Sequence, residues 1–319
     1  MPTYRQILSK AWQLTWQNPL LWLFGLFVAM LGSGGEIEIL LSSITLGQEP
    51  GFLISFFLGL ASGGLFSLAG VKGIFSALFT NPFTLFVILL LMMVMIGIAV
   101  LLIWLIIVSQ SALINGVLAA GKNKPLKWSG NFYFGLAKFW PVLILNALAK
   151  FIFWVLFAGL SLLVSLKFYG SIFFFIIAYV IFVLLILVIS FIIKYAICGV
   201  VLNNYRVGEA IDEAFKLFYK NWLLSLEVAV ILFLVYVVAS GLLALVLSII
   251  FAYAVQLFHL VPLVLILVLV GIYILFILGQ LLLAVFHWAS WVLVFESLNN
   301  KKVVMLSRLI SGFQRMFNR

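Results

Sequence analysis

A single cysteine, two histidines and eight carboxylates are all that this 319-residue chain offers to metal, redox or acid–base chemistry. Cys198 alone can form neither an intrachain disulfide nor a dithiol redox pair, and it cannot anchor a cysteine-based metal site. His259 and His287 are far apart in sequence, with no Asp or Cys beside them. A packed or water-bonded imidazole is therefore expected at His287 rather than a metal ligand. No nucleophile stands at a recognisable spacing from a base. The short runs Ser33-Gly34-Gly35 and Ser62-Gly63-Gly64 lack the lysine that a phosphate loop needs. No cofactor, no metal and no enzymatic activity are expected.

Charge is scarce as well. Charged residues make up 8% of the chain and hydrophobic ones 67%, against roughly 25% charged in a soluble domain. Apolar runs longer than about 18 residues recur along the chain, which marks a polytopic membrane protein. The runs are continuous rather than alternating, so the spans are helices and not barrel strands. The formal charge of +10 comes from 18 Lys and Arg scattered singly between apolar runs. That scatter forms no basic stripe for nucleic acid. It fits anchoring beside anionic lipid headgroups at the cytoplasmic face.

What is present is a recurring unit. Residues 3–17 place Tyr4, Ile7, Leu8, Ala11, Trp12 and Leu14 near one helical face and Arg5, Gln6, Lys10, Gln13 and Gln17 largely on the other. This is the pattern of a helix lying in the headgroup plane. Asn18-Pro19 then reads as an N-cap and first helical residue, opening a span over 19–32. Basic residues before that run and small ones after it (Gly32 to Gly35) faintly imitate a signal peptide. The internal Asn-Pro, the tryptophans and the recurrence downstream argue for a retained anchor.

The same order of surface helix, corner and span returns at Trp128 to Pro141 and at Ala210 to Trp222, with further spans at 83–114, 141–165, 171–197, 222–250 and 263–293. Residues 51–70 decide the topology. If they do not cross, all basic segments share one side, as the positive-inside rule requires. The fold class expected is thus an all-α integral membrane protein, one membrane domain over 1–319 with six transmembrane helices. These form three hairpin pseudo-repeats, 1–118, 119–207 and 208–319, each preceded by a cytoplasmic amphipathic interfacial helix. An outer insertion occupies 33–82, the C-terminal segment forms a last amphipathic helix, and both termini are cytoplasmic in the cell membrane.

The corners Trp16-Gln17-Asn18-Pro19, Phe139-Trp140-Pro141 and Tyr219-Lys220-Asn221-Trp222, set in this three-fold pattern, resemble those of bacterial multi-pass proteins related to the membrane domain of some glycerophosphodiester phosphodiesterases. The resemblance implies a membrane-embedded protein and carries no catalytic residues, since the soluble catalytic domain of those enzymes has no counterpart here.

Ionisable groups at membrane depth are the default candidates for function. They are Lys150, Lys194, Glu227 and Glu296, all in the inner half of their spans. Lys150 or Lys194 could pair with Glu227, or the lysines could hold a lipid phosphate. Asn115, Asn146, Gln256 and Gln280 read as interhelical hydrogen-bonding groups. The leading functional reading is a non-enzymatic scaffold or envelope protein that binds membrane lipid, with anionic headgroups as partner and protein partners unspecified. The competing one is a transporter, lipid flippase or channel, which needs a wet cavity reaching Lys150 and Glu227.

Overall fold

The computed structural model describes residues 4–31, 72–73, 76, 82–165, 172–258 and 262–299. Nearly all of 33–82, including 51–70, lies outside these residues, as do the turn near Lys167, His259 and the C-terminal helix expected beyond 299. The described chain is helical, in the order α1 (Tyr4–Gln17), α2 (Leu20–Ala29), α3 (Pro82–Gly121), α4 (Trp128–Ala137), α5 (Phe139–Ser165), α6 (Ile172–Leu202), α7 (Val207–Lys220), α8 (Trp222–Phe258) and α9 (Pro262–Asn299). Five of these hold stretches long and apolar enough to cross a membrane: Phe86–Gly121, Phe139–Leu156, Ile176–Leu202, Trp222–Val255 and Ile266–Asn299. The chain is an all-α protein of the multi-pass membrane class. Helix α2 is apolar but has only 10 residues, about half the length a span requires.

Several helix boundaries differ from those read in the sequence, with α3, α6 and α9 running on to Gly121, Leu202 and Asn299. The second corner falls at Lys138, three residues before Pro141. A proline ring clashes with the carbonyl four residues earlier, here Ala137, so α4 stops there and Pro141 sits in the first turn of α5, where its missing N–H costs nothing. Helix α8 continues through Tyr253 to Phe258, because nothing in that stretch breaks a helix.

The chain divides into two compact units. The unit Gly35–Leu105 contains the first part of α3, whose apolar side chains from Phe86 to Ile96 are exposed. The unit formed by Met1–Gly34 and Ile106–Arg319 holds the other helices and the end of α3. Within it, α9 is the hub. Helices α1, α2, α6 and α8 all pack on it, while α5 and α7 pack on α6. Two close approaches depend on glycine. A Cβ on Gly25 of α2 would collide with the Val285 side chain of α9 and lie 3.3 Å from the Leu281 carbonyl, and one on Gly135 of α4 would collide with the Val108 carbonyl of α3. Small residues that let backbones approach are what membrane helices use to associate, because lipid is as apolar as any side chain.

Candidate functional site

The short helices come first, because they place everything else. Helix α1 buries Ile7, Ala11 and Leu14 where it packs on α9. Its apolar stripe is thus taken up by protein, not by lipid as the amphipathic pattern suggests. What remains outside is an aromatic edge, with Trp12 51% and Trp16 48% exposed. Trp12 and Trp22 each hold an edge-to-face contact with Trp16, both at 5.7 Å between centroids. Helix α7 does the same, burying Ala210 and Ala214 while exposing Phe215 and Tyr219. The arrangement recurs at the other corners, where Trp128, Tyr133, Trp140 and Trp222 are exposed.

Both corner asparagines act as C-caps, not as the N-caps their position suggests. Asn18 Nδ2 donates to the Leu14 carbonyl at 3.0 Å, and Asn221 Nδ2 donates to the Leu217 carbonyl at 3.0 Å. A helix end leaves four carbonyls unpartnered, and an amide one residue past the end reaches one of them. Helix α7 is also charged in the sense its dipole favours, with Glu209 in the first turn and Lys220 in the last. On its exposed face Glu213 accepts from Lys216 Nζ at 2.7 Å. This hydrogen bond, more than the charge of Glu213, raises the Lys216 pKa.

Three of the basic segments meet at one end of this unit. Lys10 Nζ donates to the Gly121 carbonyl at 3.2 Å, and Lys122 forms an ion pair with Glu296 at 3.6 Å. Asn203, Glu213 and Asn299 line a single small cleft beneath α7 with a volume of about 20 Å³. Two span exits at this end finish on asparagines in the left-handed region, Asn123 at φ 55° and Asn204 at φ 58°, a conformation asparagine tolerates better than most residues. Lys124 and Lys127 are exposed beside Trp128.

The four candidate charges separate. Lys194 is buried, its Nζ 3.2 Å from Nε2 of His287 and 4.9 Å from the centroid of the Trp291 ring. Glu296 takes Lys122. Glu227 is half-buried on α8, and Lys150 is exposed on α5 beside the exposed Phe151 and Trp154. Next to Lys194, Tyr195 forms a hydrogen bond of 2.7 Å with Ser225 Oγ, which itself donates to the Asn221 carbonyl at 3.0 Å. The C-terminal part of α6 is thereby tied to α8 at the third corner.

The amides do what their sequence context suggests. Asn115 donates to Asn131 at 2.9 Å, Asn146 to Gln110 at 2.8 Å, and Tyr236 to Gln280 at 3.1 Å. The side chain of Gln256 lies outside the description. Two contacts were not foreseen from the sequence, that of Gln110 and that of His287, which was expected only to pack or bond water. Gln110 sits in an apolar run and has no exposed surface. His287 meets Lys194 from 93 residues away, a separation at which no spacing rule operates. Among the described residues no group of three His, Cys, Asp or Glu could hold a metal ion. No family model, curated protein or solved structure matches the chain.

Proposed function

We propose that this chain is a six-span protein of the cell membrane, built from three hairpin pseudo-repeats with both termini cytoplasmic, whose short helices bind anionic lipid headgroups, and that it works as a non-enzymatic scaffold of the envelope. In this reading α2 and the residues after it supply the first span. The observation that carries the reading is the rim at one end of the larger unit. Exposed Trp12, Trp16, Trp128, Trp140, Tyr219 and Trp222 accompany the exposed Lys122, Lys124 and Lys127. Amphipathic aromatics settle at headgroup level, and lysines beside them are attracted to anionic phosphate by about 1 kcal/mol each. Since the apolar stripes of α1 and α7 are used inside the protein, the aromatic edges and not the stripes are the lipid-binding elements. The likeness of the three corners to the membrane domain of glycerophosphodiester phosphodiesterases fits a membrane role.

The test uses the full chain reconstituted in vesicles containing either brominated phosphatidylglycerol or brominated phosphatidylcholine at equal mole fraction. Bromine quenches tryptophan on contact. Stronger quenching by the anionic lipid, lost in a Lys122→Gln, Lys124→Gln, Lys127→Gln triple variant, is expected. Equal quenching by the two lipids would overturn the proposal.

A further inference from the structure

Two opposite charges on the spans have no counter-charge within this chain. The ion pairs among the described residues join Lys122 to Glu296 and Lys216 to Glu213. Lys150 on α5 and Glu227 on α8 take part in neither, and among the described residues neither side chain has a hydrogen-bond partner. The pairing that their sequence positions allow does not form inside one copy, because α5 packs on α6 while α8 packs on α9.

Both charges stand beside apolar stripes that no other helix covers. Along α5 the exposed residues Trp140, Ile144, Ala147, Phe151 and Trp154 follow one another at steps of three and four, so they share one face, and Lys150 lies at its edge. On α8 the exposed Leu223, Leu226, Val230 and Leu234 make a second stripe of the same spacing, with the half-buried Glu227 at its edge. This is the spacing by which two helices pack at a small crossing angle. Lipid satisfies an apolar stripe as well as protein does, but it does not satisfy an ionised group, which seeks a partner of opposite charge.

We infer that α5 of one copy of this chain packs against α8 of a second copy in the membrane, with Lys150 of the first paired to Glu227 of the second. Lys150 lies about 18 Å along α5 from the corner at Lys138, and Glu227 about 9 Å along α8 from the corner at Asn221, at 1.5 Å per residue. Helix side chains lean toward the N-terminus, and a lysine stem carries its charge toward the interface, so the ammonium stands closer to the depth of the carboxylate than its backbone does. The inference rests on the membrane placement proposed above, which puts both corners on one side of the bilayer. It does not rest on the binding of anionic headgroups.

The full chain, carrying a donor or an acceptor fluorophore at its N-terminus, is reconstituted in vesicles of phosphatidylcholine alone. Energy transfer is followed as lipid is added to dilute the protein. Wild type should show transfer above that of random proximity, falling on dilution. Lys150→Met and Glu227→Gln should each weaken association by at least about tenfold. Copies with Lys150→Glu should not associate with one another, nor should copies with Glu227→Lys. A mixture of the two should associate, since every contact between unlike copies then joins opposite charges, a rescue that a pair inside one chain cannot give. Wild type without transfer beyond random proximity would overturn the inference whether or not any variant folds. So would association that is unchanged in a folded Glu227→Gln variant. Association that requires added phosphatidylglycerol and responds to Lys150→Met but not to Glu227→Gln would assign the lysine to a lipid phosphate, and would also overturn the pairing. The quenching experiment reads headgroup contact at the rim and this one reads contact between copies without anionic lipid, so either can fail while the other holds.

Discussion

Along α9, residues 266–278 are exposed or half-exposed throughout, whereas every residue from 284 to 295 is buried. Helix α6 changes in the same way, from the exposed Ile176, Val180 and Leu184 to an unbroken buried run over 193–201. Hydropathy does not explain the difference, because both halves are strongly apolar. The N-terminal stretch of α9 is Ile, Leu, Val, Tyr and Phe around a lone Gly271, while the C-terminal one carries Ala284, His287, Ala289 and Ser290. Large aliphatic side chains gain little by leaving lipid for protein, so they do not draw helices together. Small residues allow backbones to approach, and polar ones bond across the gap. Both are concentrated in the buried runs 193–201 and 284–295, and there the helices meet.

The sharpest way to break this comparison is at the glycines. Gly25→Val, at the crossing of α2 and α9, should destabilise the protein by about 3 kcal/mol through overpacking. Gly271→Val in the exposed half of α9, where a Cβ meets nothing within 4 Å, should change stability by less than about 0.5 kcal/mol. Both are read by steric-trap unfolding in bicelles. Truncation should give the next largest contrast. Leu113→Ala, fully buried, should cost about 2 kcal/mol, at the low end for a core leucine because lipid replaces water as the reference. Leu267→Ala, 63% exposed, should be near neutral by the same measurement.

Polar contacts should matter less. Asn146→Leu removes the bond to Gln110 and should cost about 1 kcal/mol, typical of interhelical hydrogen bonds in membranes. Asn18→Ala and Asn221→Ala each remove one C-cap bond and should cost about 0.5 to 1 kcal/mol, with equal values if the first and third corners are equivalent. The smallest effect belongs to the exposed pair on α7. The pKa of Lys216 is raised in the folded protein, so any stability it contributes is complete below its unfolded value and is lost as pH rises through the folded one. Glu213→Gln should therefore bring the Lys216 ammonium back toward its ordinary range in an NMR titration, with no change in unfolding between pH 6 and 9.

The membrane class and most helix positions were legible in the sequence because hydropathy and length decide them. The corners were visible too, though the role of their asparagines was not. Asn18 and Asn221 have the right identity for N-caps, and only the chain geometry shows that their amides turn back to the carbonyls of Leu14 and Leu217. The amphipathic stripe of α1 was read correctly as a pattern and assigned to lipid, but periodicity cannot say whether an apolar face meets lipid or another helix. Lys194 was recognised as a candidate from its depth. Its neighbour His287 was not, since a contact across 93 residues leaves no trace in local spacing.

Single cysteines placed at the rim test the account most directly. In a Cys198→Ser background, Lys10→Cys, Lys124→Cys and Arg206→Cys are each exposed to a membrane-impermeant maleimide, first outside intact cells and then on inverted vesicles. The account predicts that all three react only in inverted vesicles, because the segments that carry them share the cytoplasmic face. Labelling of any one of them from outside intact cells would contradict it.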